Sequence, residues 1–113
     1  HHPKVRIFGH PTGRLLGSRE GVDANWPEVF EAAKKLDIAL EINSYPERLD
    51  LPDTLVYDAV KSGVKFTINT DSHAVEHMDL MQYGVSVARR GWATKDDIHN
   101  ALGYNDFKKW LVT

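Results

Sequence analysis

Asp71-Ser72-His73 follows directly on the apolar run Val64-Lys65-Phe66-Thr67-Ile68-Asn69-Thr70. In extended chain, residues two apart point to the same side, so this carboxylate and imidazole can address one ion. A hard oxygen with a borderline nitrogen suits Zn²⁺, Mn²⁺ or Fe²⁺. The plainer alternative makes Asp71 a helix cap and His73 a solvated loop residue, because Asp-x-His pairs also arise by chance. His10, in Gly9-His10-Pro11-Thr12-Gly13-Arg14, ends another apolar run. Glycine permits close backbone approach and proline fixes the exit from the strand. A histidine before proline is usually structural; a converging Asp71/His73 pair is what makes His10 a candidate ligand. Arg14 can grip a phosphate oxygen in a bidentate manner, or be a surface arginine.

Glu41 and Asn43 lie two apart in Leu40-Glu41-Ile42-Asn43 and so share a strand face. A buried carboxylate is costly unless partnered, and structural hydrogen bonding is the preferred reading of Glu41. Asn43, at the strand end, can orient a substrate or a ligand. Arg89-Arg90-Gly91-Trp92 offers adjacent arginines pointing apart, one able to reach a phosphate while the other meets a carboxylate; a solvated charge pair is the alternative. Trp26 and Trp110 read as core or interface, Met78 and Met81 as packing, and His77 and His99 as exposed. No residue is assigned a catalytic role.

Three β-branched or aromatic runs of strand length carry these residues: Val5 to Gly9, Ile38 to Asn43 and Val64 to Thr70. Between them, Asn25 as N-cap and Pro27 in the first turn open a helix with Val29, Phe30, Ala33 and Leu36 at helical spacing. Asp53 can cap a second helix that Gly63 stops. Beyond Asp71, His77 to Val87 reads as a loop passing into a short helix or turn, broken at Gly84. Thr94-Lys95-Asp96-Asp97 is a capping-box variant opening a helix with Ile98, Ala101 and Leu102 inward and Gly103 at its end. Asn105 can cap a last turn carrying Phe107, Trp110 and Leu111. The fold class is α/β, a parallel βαβαβ unit plus C-terminal helices. Function in such folds collects at the carboxyl ends of the strands, where His10, Asn43, Asp71 and His73 all fall. Three parallel strands normally have more neighbours, which points to a larger barrel or sheet cut open. The strand at Val5 then exposes an edge that invites self-association.

The 113 residues amount to one domain or less, and 42% hydrophobic content is that of a globular chain. Fourteen Lys and Arg against sixteen Asp and Glu is not the basic footprint of a self-sufficient nucleic-acid binder. With no cysteine, disulfides and thiolate zinc sites are excluded, and a cytoplasmic location fits. No long apolar run or signal peptide is visible, so no membrane partner is expected. His1 and His2 are consistent with a purification-tag remnant and carry no weight as ligands.

Together, Gly9-His10-Pro11-Thr12-Gly13-Arg14-Leu15-Leu16, Leu40-Glu41-Ile42-Asn43, Arg48-Leu49-Asp50-Leu51, Ile68-Asn69-Thr70-Asp71-Ser72-His73 and Tyr83-Gly84-Val85 to Ala88-Arg89-Arg90-Gly91-Trp92 carry a resemblance. Over residues 1–113 the chain resembles the C-terminal portion of the PHP (polymerase and histidinol phosphatase) domain, in the form fused to bacterial and archaeal family X DNA polymerases. The resemblance implies a fragment of a distorted seven-stranded, TIM-like βα barrel that hydrolyses phosphoesters with divalent metals, acting in 3′–5′ exonuclease or 3′-end processing of DNA. It implies that His10, Asp71 and His73 are metal ligands and that Arg14, Asn43 and Arg89 or Arg90 are substrate contacts. It further implies DNA 3′ ends, the rest of the barrel and a polymerase core as partners. The family's His-x-His motif is absent, so the chain by itself is expected to bind metal weakly and to be nearly inactive. The alternatives are a stand-alone PHP phosphatase related to histidinol phosphatase, and a vestigial structural or docking module.

Overall fold

The side chain of Asn25 accepts a hydrogen bond from the Glu28 amide, and Pro27 lies in the first turn, so helix α1 (Trp26–Leu36) begins where its local sequence dictates. It ends on Asp37 in the left-handed conformation, and the chain turns directly into strand β2 (Ala39–Asn43). Helix α2 (Asp53–Ser62) starts one position earlier than an Asp53 cap would place it, with Pro52 as N-cap, and stops at Gly63 with φ of 83°. Strands β1 (Ile7–Phe8) and β3 (Phe66–Asn69) flank β2 on either side, both parallel to it. Register pairs Glu41 with Thr67 and Asn43 with Asn69, which sorts the sheet into two chemically distinct faces. Leu40, Ile42, Phe66 and Ile68 form one face, in the core with Phe30 and Val56. Each such side chain taken from water is worth about 1.5–3 kcal/mol. The other face carries Glu41, Asn43, Thr67 and Asn69. This computed structural model describes residues 2–113, a mixed α/β arrangement of three parallel strands and four helices. Among them no helix is long and apolar enough to cross a membrane.

The C-terminal third departs from its local signals in two places. Val75–Leu80 is a 3₁₀ segment that leads into helix α3 (Met81–Arg90), which runs unbroken through Gly84. The glycine is there for packing: a Cβ would lie 2.0 Å from Ser44 Oγ and 2.7 Å from an Ile68 methyl, so α3 sits directly on β2 and β3. The Thr94 capping box forms, but it opens only 3₁₀ turns, Lys95–Asp97 and His99–Ala101, rather than an α-helix. Ile98 between them is extended and bridges Phe66 in parallel, while the Asn100 side chain accepts from Ile68 N (3.0 Å) and donates to Ile68 O (2.6 Å). Pairing along β3 outweighs local helix preference, and Ala101 and Leu102 are left exposed. At the opposite side β1 is a bare edge, with Val5 and Phe8 exposed beside an apolar groove of about 240 Å³ against Val29 and Leu36. Helix α4 (Tyr104–Val112) has Gly103, not Asn105, as its N-cap and buries Trp110.

Met81 packs on the core as expected, whereas Met78 is 66% exposed. His99, expected at the surface, is half-buried, its ring stacked 4.0 Å from that of Trp110. Burial pushes its pKa below the ordinary value of 6.5; nearby Asp37 opposes that shift and Lys65 reinforces it. A depressed histidine pKa means that the unfolded chain binds the extra proton first. Stability should therefore fall as pH drops through 6.5, and His99→Phe, which keeps the stack, should flatten that decline in urea unfolding. Equal slopes for both proteins would remove His99 as the cause. Gly84→Ala should cost about 1–3 kcal/mol by the same measurement, since neither Ser44 nor Ile68 has room to move.

Candidate functional site

Two carboxylates buried near the carboxyl ends of the strands organise the loops there. Glu41 accepts three hydrogen bonds: from the His10 amide (2.7 Å), from Asn69 Nδ2 (2.9 Å) and from Asn43 Nδ2 (3.3 Å). Its preferred structural reading holds. Asp50, fully buried, accepts from the Thr12 amide (3.0 Å) and the Gly13 amide (2.8 Å), which fastens the loop after β1 across to the loop after β2. Asn43 continues the network, donating to Asp71 Oδ2 (3.2 Å) and accepting from the Tyr45 amide (3.0 Å). His10 and Asp71, on two different loops, both hold positive φ, 27° and 54°. Non-glycine residues rarely adopt this conformation, and it collects at functional sites where surrounding contacts impose it.

Asp71 and His73 open onto one pocket of about 200 Å³, which Leu15, Tyr45, Glu47, Arg48 and His77 also line. His73 Nδ1 lies 2.7 Å from the Asp71 carbonyl oxygen, an acceptor only, so Nδ1 carries the proton and Nε2 keeps its lone pair. The His73 amide donates to His77 Nδ1 (3.0 Å), which places the His77 proton on Nε2. His77 is half-buried, edge-on to Tyr45 with ring centres 5.4 Å apart, not exposed as expected. Arg48 Nε stands 3.6 Å from Asp71 Oδ2, too long for a hydrogen bond. A partly exposed ion pair of this kind is worth about 1 kcal/mol or less, so it orients more than it stabilises.

The other expected site residues are placed differently. His10 joins the network through its amide, but its imidazole does not line the Asp71/His73 pocket. Arg14 donates from Nε to Arg48 O (2.8 Å) and from Nη2 to Leu49 O, so it clasps the turn after β2. Arg90 pairs with Asp53 at the start of α2 (3.0 Å), and neither it nor exposed Arg89 lines the pocket. Arg48 and His77 are the residues that sequence reasoning passed over. Arg48 follows a strand end, and His77 stands one helical turn after His73, so both signals were in reach.

For a metal ion the donor chemistry is suitable, with a carboxylate oxygen and an imidazole lone pair on one pocket. The number is not. Among the described residues no group of three or more His, Asp or Glu side chains is arranged to hold an ion.

No protein-family model matches the chain. Over 107 residues, 95% of its length, it is 41% identical to the DNA polymerase/3′-5′ exonuclease PolX of Bacillus subtilis (strain 168). The chain is PolX-like. It spans 19% of that relative's length.

Asp50→Ala leaves two loop amides without acceptors and should destabilise the chain by about 3 kcal/mol in urea unfolding. A loss under about 1 kcal/mol would show that the loop after β1 is held by other contacts.

Proposed function

We propose that residues 1–113 are the C-terminal portion of a PHP-type phosphoesterase domain in a PolX-like DNA polymerase, and that His10, Asp71 and His73 are ligands for divalent metal. One observation carries this reading: Asp71 and the free Nε2 of His73 open onto the same pocket. The polar sheet face of Glu41, Asn43, Thr67 and Asn69, together with the bare, apolar-flanked edge at β1, supports a place in a larger seven-stranded βα barrel. Identity to a protein named as polymerase and 3′–5′ exonuclease supports DNA 3′ ends as substrate, and phosphodiester hydrolysis as the reaction of the whole protein.

Within this reading the chain supplies part of a site. Asp71 and His73 offer two donors and His10 a third from a separate loop, while further ligands would come from elsewhere in the parent domain. Mn²⁺, Zn²⁺ or Fe²⁺ match the donor types. Asn43 holds the Asp71 carboxylate by Oδ2 and leaves Oδ1 for an ion, a positioning role rather than a substrate contact. Arg14, Arg89 and Arg90 serve away from the pocket. The lack of a three-donor group favours one second reading, a structural or docking module of the same parent.

Isothermal titration of the chain with Mn²⁺ and Zn²⁺ separates the two. Weak binding that His73→Ala and Asp71→Ala abolish is expected. Titrations that neither substitution alters would remove both residues as ligands and leave the docking module.

A further inference from the structure

The pocket has two chemically opposite sides. Asp71 Oδ1 and His73 Nε2 are acceptors, suited to a cation. Arg48 and His77 are donors. Arg48 Nη1 is buried without a hydrogen-bond partner, and the proton of His77 lies on Nε2 because Nδ1 accepts from the His73 amide. A buried guanidinium nitrogen left unpaired is costly, and Arg48 also lines the pocket, so its guanidinium has hydrogen-bonding capacity left for an anionic acceptor. Asp71 does not fill that place, since it meets Nε alone, at 3.6 Å.

The turn that presents Arg48 is built in advance. The Arg48 and Leu49 amides both donate to Tyr45 O, Leu49 holds φ of 42°, and Asp50 pairs with Asn43. Arg14 clasps the carbonyls of Arg48 and Leu49 from behind.

We infer that Arg48 and His77 bind a phosphate oxyanion in this pocket, with Arg14 as the positioning residue behind Arg48. The inference rests on the proposed phosphoesterase reading and names the contacts of its substrate phosphate. Asp71 and Glu47 line the same pocket, and two carboxylates repel an anion unless a cation offsets them. Phosphate and divalent cation therefore strengthen each other's binding, by the same factor in each direction.

Calorimetric titration of inorganic phosphate into the full chain, with and without Mn²⁺, tests this. Wild type should bind phosphate more tightly with Mn²⁺ present. Arg48→Met should weaken that binding by roughly tenfold or more, the loss expected for a charge-assisted hydrogen bond. Arg48→Lys, a milder change that keeps the charge but not the fork, should fall between. His77→Phe, which retains the contact with Tyr45, should weaken it several-fold. No phosphate binding by wild type, or equal affinities for wild type and both Arg48 variants, would overturn the inference. Failure of the underlying reading shows separately, as Mn²⁺ binding that His73→Ala leaves intact.

Discussion

Glu41 and Asp50 sit where ionised carboxylates are expensive, near the carboxyl ends of a parallel sheet and almost wholly out of water. Each must collect donors or destabilise the fold by several kcal/mol. The chain meets this demand mainly with backbone amides of the loop after β1 and with two asparagine side chains. Those loops consequently have little freedom. His10, Thr12 and Gly13 point their amides inward, the chain from Tyr45 to Asp50 folds back on Asn43, and Asp71 is drawn to Asn43. The site is thus organised from beneath by buried charge, and the residues that line its pocket stand on that layer.

Much of the framework was legible in sequence because its signals are local. Asn25, Pro27 and Gly63 mark helix ends through their own backbone preferences, and the three β-branched runs became the three parallel strands in chain order. Gly84 shows where such reading stops. A helix breaker and a close-packing glycine look alike in sequence, and only the approach of Ser44 and Ile68 tells them apart. Thr94 is the converse case: its capping box forms, yet the helix does not, because Ile98 and Asn100 are recruited by β3 some thirty residues earlier.

The arginines teach a similar lesson about the candidate site. Strand-end logic put basic residues near the chemistry but not their direction. Arg14 turns to carbonyls 34 and 35 residues away, and Arg90 turns to Asp53. Arg48 reaches the pocket because a turn fixed by distant contacts carries it there. His77 needed only the observation that four residues separate it from His73. The Asp71–His73 pair does share a pocket, but Asp71 is left-handed rather than extended, so the turn after β3 and not strand alternation brings the two side chains together.

The two borders of the sheet are unequal. Along β3, Ile98 and the amide of Asn100 imitate a neighbouring strand and use up its hydrogen bonds at Ile68, so that border is sealed from within. Along β1 the border is bare and flanked by an apolar groove. A further strand, from the same polypeptide or from another copy, therefore meets an open ladder at β1, whereas at β3 it must first displace or extend past Ile98 and Asn100.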